Sequence, residues 1–353
     1  MSAKFSPWFY VFLAVLGLGC YTQNLSAQSV KEADESIASL TLRANAGDTG
    51  AQTTLGKRYA DGTGVQKDDQ ISAQWFRKAA DRGSAEAQLS LGLDYITGEG
   101  VPLDQAQAVN WILKAGNQGD SFAQFTLGTF YEAGIGVPQD YAQALDWYSK
   151  AANQGNSMAQ FSMGSLYESA SAYAVAADWY RKSAEQGVSS AKYRLSLLYM
   201  TGKGVSQDGE LALYWCTKAA LQGEAGAQEL LGSIMEEGKI VPQSLSDAFY
   251  WYGKSAQQGE TSAQLKLGRL YMDGRGTTKN YKEAYYWFCL AAARTTGDDQ
   301  RKATALGNAI LSQLTVGDVD KISNRRMPGL NSIISLNNVH RSPLCQSHSA
   351  RAG

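Results

Sequence analysis

The stretch AQFTLGTFYEAGIGVPQDYAQALDWYSKAANQG, residues 123–155, reads as helix, loop, helix. The first segment stops at Gly134, three residues past Tyr131, where a helix end needs a residue that tolerates positive φ. A second glycine, Gly136, follows. Asp140 stands seven residues before Trp147 and is a good N-cap, so the second helix is expected to start there.

The same punctuation recurs along the chain. Tryptophan stands at 75, 111, 147, 179, 215, 251 and 287, in steps of 36 residues apart from one of 32. An Ala-Gln-like pair keeps the same rhythm at Ala51, Ala87, Ala123, Ala159, Ala191, Ala227 and Ala263. Gly or Ser follows five residues later, and Tyr, or Met235 once, eight residues later. Seven units therefore fill residues 48–296. The fourth, YESASAYAVAADWY at its centre, lacks four residues and the Gly-x-Gly loop, so a tighter turn is expected there.

Glycines 56, 92, 128, 164, 232 and 268 lie inside the first helix, where each costs about 1 kcal/mol relative to alanine. A cost taken so often implies a steric need, read here as close approach of another helix backbone. Small residues three before each Trp, from Ser72 to Ala284, match them on the second helix. Each unit is thus a close antiparallel helix pair that must stack on its neighbours to bury its remaining apolar surface.

The pattern AQxxLGxxYxxGxGVxxDxxxAxxWxxKAAxQG, nearly complete in residues 123–155, resembles the Sel-one-like repeat, a relative of the tetratricopeptide repeat. That resemblance implies an all-α, right-handed α/α superhelical solenoid used as a non-catalytic scaffold for a protein or peptide partner. It also implies frequent export and roles in host contact or envelope complexes. Residues 28–47 are expected to form an N-terminal capping helix, and 297–324 closing helices. Residues 325–353 are aperiodic and rich in Ser and Asn, and are expected to be a disordered tail.

The chain begins with Lys4, an apolar run from Trp8 to Leu18 and then small and polar residues, the pattern of a signal peptide over 1–27 ending at Ala27. The rival reading is a lipid anchor on Cys20, with Gly17 where a lipobox prefers an aliphatic residue. Periplasmic or secreted placement follows from the first reading, with no transmembrane helix in the mature chain. Between the termini 27 bases face 33 acids, a balance that offers no footprint for nucleic acid. Past Ala27 only Cys216, Cys289 and Cys345 remain, without motif spacing, so no disulfide framework is expected.

Both histidines, His340 and His348, lie in the tail, which leaves the repeats without a Ser-His-Asp, Cys-His or His-ligated zinc arrangement. Cys345 beside them completes no ligand set, and no metal or cofactor is expected. The GxGV loops follow helices and run into N-caps, unlike phosphate loops, which follow strands. An alternative is a peptidoglycan-active or β-lactam-hydrolysing enzyme, as proposed for cysteine-rich members of the family. Its only trace is one S-x-x-K, Ser189 to Lys192, with no S-D-N or K-T-G, and Lys192 stands where other units carry Gln.

Setting each Trp at 0°, the buried direction of the second helix lies near about 70°, and the residue before Trp points nearly opposite, at about 260°. That column reads Gln74, Asn110, Asp146, Asp178, Tyr214, Tyr250, Tyr286. Tyr214, Tyr250 and Tyr286 form a candidate protein-binding ladder, the alternative being that they cover neighbouring side chains or the end cap. On the first helix the residue before each Ala-Gln pair also points outward, and Phe122 and Met158 are its apolar exceptions. They form a candidate groove patch, or pack against the neighbouring first helix.

Overall fold

The structure, a computed structural model, describes residues 35–323. The expected signal peptide at 1–27, Cys20, the first part of the expected capping helix, and the expected tail with His340, Cys345 and His348 lie outside these residues. The chain divides into two compact units between Gln186 and Gly187.

The first unit contains α1 (Ile37–Asn45), α2 (Thr49–Asp61), α3 (Asp69–Asp81), α4 (Ala85–Thr97), α5 (Gln105–Asn117), α6 (Ser121–Ala133), α7 (Tyr141–Asn153), α8 (Ser157–Ser169) and α9 (Tyr173–Glu185). The second contains α10 (Ser189–Thr201), α11 (Gly209–Leu221), α12 (Ala225–Glu237), α13 (Leu245–Gln257), α14 (Thr261–Asp273), α15 (Tyr281–Arg294), α16 (Gly297–Ala309), a 3₁₀ turn at Leu311–Gln313, and α17 (Val316–Ser323). The described residues contain no strand: the fold is all-α, and seven helix pairs from α2–α3 to α14–α15 are its repeats.

Local chemistry fixes these boundaries. Asp68, Asp104, Asp140, Asp208, Ser244 and Asn280 each accept a backbone N–H of the first helical turn, as the N-cap column predicts. Six first helices end on a left-handed glycine, among them Gly134 at φ 71°. In the shortened fourth repeat, α8 ends at Ala170, and Ser171 takes φ 61° without being glycine. The tight turn expected there is present, and its N-cap Ala172 supplies no side-chain bond.

The glycine column meets a side chain first, and at Gly92 a helix backbone follows, where Ala108 O lies behind Ile112 at 3.1 Å from an added Cβ. A Cβ on Gly128 would lie 2.4 Å from the Tyr148 ring. Gly56 faces Phe76, Gly92 Ile112, Gly164 Tyr180, Gly232 Tyr252 and Gly268 Phe288 in the same way. Each of these partners is the residue after the repeat's Trp, and each is buried. The fifth repeat has Ser196 in place of glycine, and there the partner is the small Cys216; both are fully buried. Close backbone approach does occur, at the loop glycines: a Cβ on Gly100 would fall 1.9 Å from the Asp69 carbonyl oxygen.

The same pairing extends to polarity. Tyr148, Tyr180 and Tyr252 donate their hydroxyls to Glu132, Glu168 and Glu236 at 2.7, 2.6 and 2.9 Å. Where the ring position is Phe76, Ile112, Cys216 or Phe288, the residue at the Glu position is Ala60, Ile96, Met200 or Met272. At this position a half-buried carboxylate thus appears only where a hydroxyl meets it.

Successive repeats are sewn together by glutamines. The Gln of each Ala-Gln pair bonds a carbonyl at the end of the preceding helix, as Gln124 Nε2 does to Gly116 O at 3.0 Å. Its Oε1 accepts from a Gln just past the following second helix: Gln118 to Gln88, Gln154 to Gln124, Gln186 to Gln160 and Gln258 to Gln228, at 2.7–2.8 Å. Arg82 and Arg294 occupy the terminal rungs. Arg82 donates to Gly47 O instead, and Gln52 Oε1 and Gln264 Oε1 have no hydrogen-bond partner among the described residues.

Candidate protein-interaction surface

The second helices carry a Lys three residues after Trp in six of the seven repeats. In the first four, Lys78, Lys114, Lys150 and Lys182 sit 3.7–4.1 Å above the ring of their own Trp. Such cation–π contacts cover the ring's outer face with the lysine stem. Trp111 and Trp147 are buried and the other five are half-buried, so the buried direction lies closer to the residue after Trp than the sequence angles suggest.

Repeats five and six depart from this arrangement. Tyr214 and Tyr250 lie edge-on against Trp215 and Trp251, with centroids 5.1 Å apart in both pairs. Lys218 leans over Tyr214 at 4.3 Å and Lys254 over Tyr250 at 5.6 Å. Tyr214 is 47% and Tyr250 54% exposed. Of the aromatic run at 249–252, Tyr252 is fully buried, Trp251 and Phe249 are half-buried with Phe249 edge-on to Tyr271, and Tyr250 faces outward.

The third rung of the expected ladder is different: Tyr286 is only 5% exposed. Lys282, one turn earlier on the same helix face, pairs with Asp318 of α17 at 2.7 Å. The closing helix thus approaches the face that stays open in repeats five and six.

The groove patch is also corrected. Phe122 is 4% exposed, with its ring 6.0 Å from Phe125, and half-buried Met158 packs against the same apolar cluster. The physical reason is that α6 is apolar nearly all round, with every residue from Phe122 to Phe130 buried.

The S-x-x-K pair serves the seam between helices. Lys192 Nζ donates to Gly187 O at 3.1 Å and to Gln222 Oε1 at 2.6 Å, replacing the glutamine rung with an ammonium. Ser189 Oγ bonds Glu224 at 3.3 Å. Cys216 is buried with its thiol pushed up to about 12 by desolvation and by Glu229, which leaves it protonated. Cys289 is buried too, and neither of the two is in a disulfide among the described residues. Among the described residues no cluster of His, Cys, Asp or Glu is arranged to hold a metal, and no helix is long and apolar enough to cross a membrane.

One group escaped sequence reasoning. Asp94 sits in α4 in a column that is Phe130, Leu166, Leu198, Ile234 and Leu270 in the later repeats. Burial, reinforced by Glu99 and Asp69, raises its pKa to about 7, and Oδ2 has no hydrogen-bond partner among the described residues. The signal that could have found it was a carboxylate in a column that is apolar from the third repeat onward and is Arg58 in the first.

Seven helix pairs with shared caps, a shared glycine contact and a glutamine seam define a helical repeat protein. The chain belongs to the Sel1 repeat family, whose model matches residues 50–84, 85–120, 121–156, 157–188, 189–224, 225–260 and 261–295. It is similar to a solved Sel1 repeat protein from Oxalobacter formigenes, at 31% identity over 87% of this chain and 95% of that one, with a TM-score of 0.66. It is also similar to a protective antigen present in uropathogenic Escherichia coli strains, at 32% identity over 81% of this chain and 69% of that one, with a TM-score of 0.54. No curated protein matches the chain. Proteins of this family are in general scaffolds for protein interaction.

Proposed function

We propose that the chain is an exported, non-catalytic scaffold that binds a protein or peptide partner on the outer face of repeats five and six. The observation that carries this reading is the change in one column, from Gln74, Asn110, Asp146 and Asp178 to the exposed Tyr214 and Tyr250. Tyrosine adds apolar contact area with a polar tip and loses little side-chain entropy on binding, which makes it a favoured anchor. Helix α1 at one end and α16–α17 at the other act as caps.

Replacing Tyr214 and Tyr250 together with serine removes two exposed rings and no buried group. The expected result is an unchanged urea midpoint with partner affinity lowered by at least about ten-fold, as for loss of a central anchor. Undiminished affinity would sink the assignment.

Export is supported by the signal-like pattern at 1–27 and by the likeness to a protective antigen. A role in the envelope or in host contact is the setting in which such a scaffold would act. Mass spectrometry of the chain from the extracytoplasmic fraction should find Gln28 as its first residue, whereas a lipid-modified Cys20 would establish the anchored form instead.

A further inference from the structure

We propose that the partner segment bound by repeats five and six carries carboxylates among apolar side chains. This deepens the reading above and rests on it.

The argument comes from what the tyrosines displaced. In repeat three the column residue is Asp146, and it holds Lys150 in an ion pair at 2.7 Å while that lysine covers Trp147. In repeat four it is Asp178, paired with Arg181 at 3.1 Å. In repeats five and six tyrosine takes the place of the acid. Lys218 and Lys254 keep a ring and have no carboxylate in that column; like Lys78, Lys114 and Lys182, neither forms an ion pair among the described residues, but only these two lie against an exposed tyrosine. One change thus adds an apolar surface and leaves a cation on top of it.

In repeat five other positions of the same face changed in step, whereas repeat six keeps the polar Asp247 and Gln257 there. Where repeat three has Gln143 and Asn153, repeat five has Leu211 and Leu221, exposed by 38% and 71%. Leu211, Tyr214, Lys218 and Leu221 share one face of α11, spanning about 80° of the helix circumference. On α13, Gly253 lies beside Tyr250 and Lys254, and a Cβ there would meet nothing within 4 Å. No contact among the described residues accounts for this glycine, and it leaves room for a partner main chain to come close.

Two ammonium groups on neighbouring repeats, set among leucines and tyrosines, complement a segment that offers carboxylates and leucine-like side chains. A second copy meeting this face with its own equivalent face would bring the same two lysines and not acids. Nucleic acid, though anionic, is disfavoured by the acidic balance of the repeats.

The test is selection of displayed random peptides on the full chain, with the Y214S/Y250S chain as the control and K218M/K254M as the decisive variant. The expected clones depend on the tyrosines and are enriched in Asp and Glu alongside Leu and aromatic residues. Synthetic copies of them should bind K218M/K254M about ten-fold more weakly, with its far-UV circular dichroism and urea midpoint unchanged. Tyrosine-dependent clones that lack acids, or that bind K218M/K254M as well as the parent, would overturn this inference and leave the scaffold assignment standing. Absence of tyrosine-dependent clones would overturn both. Self-association in sedimentation that Y214S/Y250S abolishes would replace the peptide with a second copy.

Discussion

Tyr148→Ala is expected to lower the urea-unfolding free energy of the chain by about 4 kcal/mol, the usual cost of emptying a fully buried aromatic site. The ring is fully buried, covers Gly128, stacks at a tilt 5.8 Å from Phe125 and hydrogen-bonds Glu132. Glu132 is already raised above the ordinary carboxylate range by burial, an effect that the Tyr148 hydrogen bond opposes, so loss of the hydroxyl raises it further. The glycine contact can be tested in the opposite direction. Helix propensity alone makes Gly128→Ala stabilising by about 1 kcal/mol. A Cβ 2.4 Å from the ring instead makes it destabilising by about 2 kcal/mol. In a Tyr148→Cys background, which imitates the Ser196 and Cys216 pair of repeat five, the alanine should cost nothing. An equal cost in both backgrounds would show that the ring is not the reason for the glycine.

Asp94→Asn should change how stability responds to pH. The folded-state pKa of Asp94 is raised from 3.8 to about 7, so folding is most favourable while the carboxyl keeps its proton. Its contribution is complete below the unfolded value and is lost as pH rises through the folded one. Between about pH 4 and about pH 8 the parent chain should lose up to roughly 4 kcal/mol from this group, and the Asn variant should lose none of it. Urea midpoints of the two proteins should converge at acid pH and separate above neutrality. Parallel profiles would mean that the carboxylate finds a partner when ionised.

Much of the fold was legible because caps and turns depend on local chemistry. Asp140 and Gly134 declare a helix start and a helix end by what a backbone needs at those points. The seven-fold recurrence then replaced a difficult tertiary question with a simple periodic one. The glycine column was legible as a steric demand, but its cause was assigned to backbone because a helix angle does not tell which neighbour fills the space. Compared across repeats, the changes from Tyr148 with Glu132 to Phe288 with Met272 held the answer. The outward column was read by angle, and Tyr214 and Tyr250 are exposed as that angle requires. Angle could not foresee the approach of α17 near Tyr286, or a helix as apolar as α6 around Phe122, since both depend on what packs from outside the repeat.

The glutamine rungs have a consequence for how such a chain can change. Ring size and carboxylate pairing are settled privately inside each helix pair, whereas the seams within each of the two compact units are made of the same amide donor and carbonyl acceptor, or of the ammonium at Lys192. Units with unlike interiors therefore present a common plug and socket. Loss or duplication of a middle unit rejoins compatible ends, while Arg82 and Arg294 mark the two positions where the socket is altered and the series stops. Diversity on the outer face can thus accumulate unit by unit without renegotiating the joints.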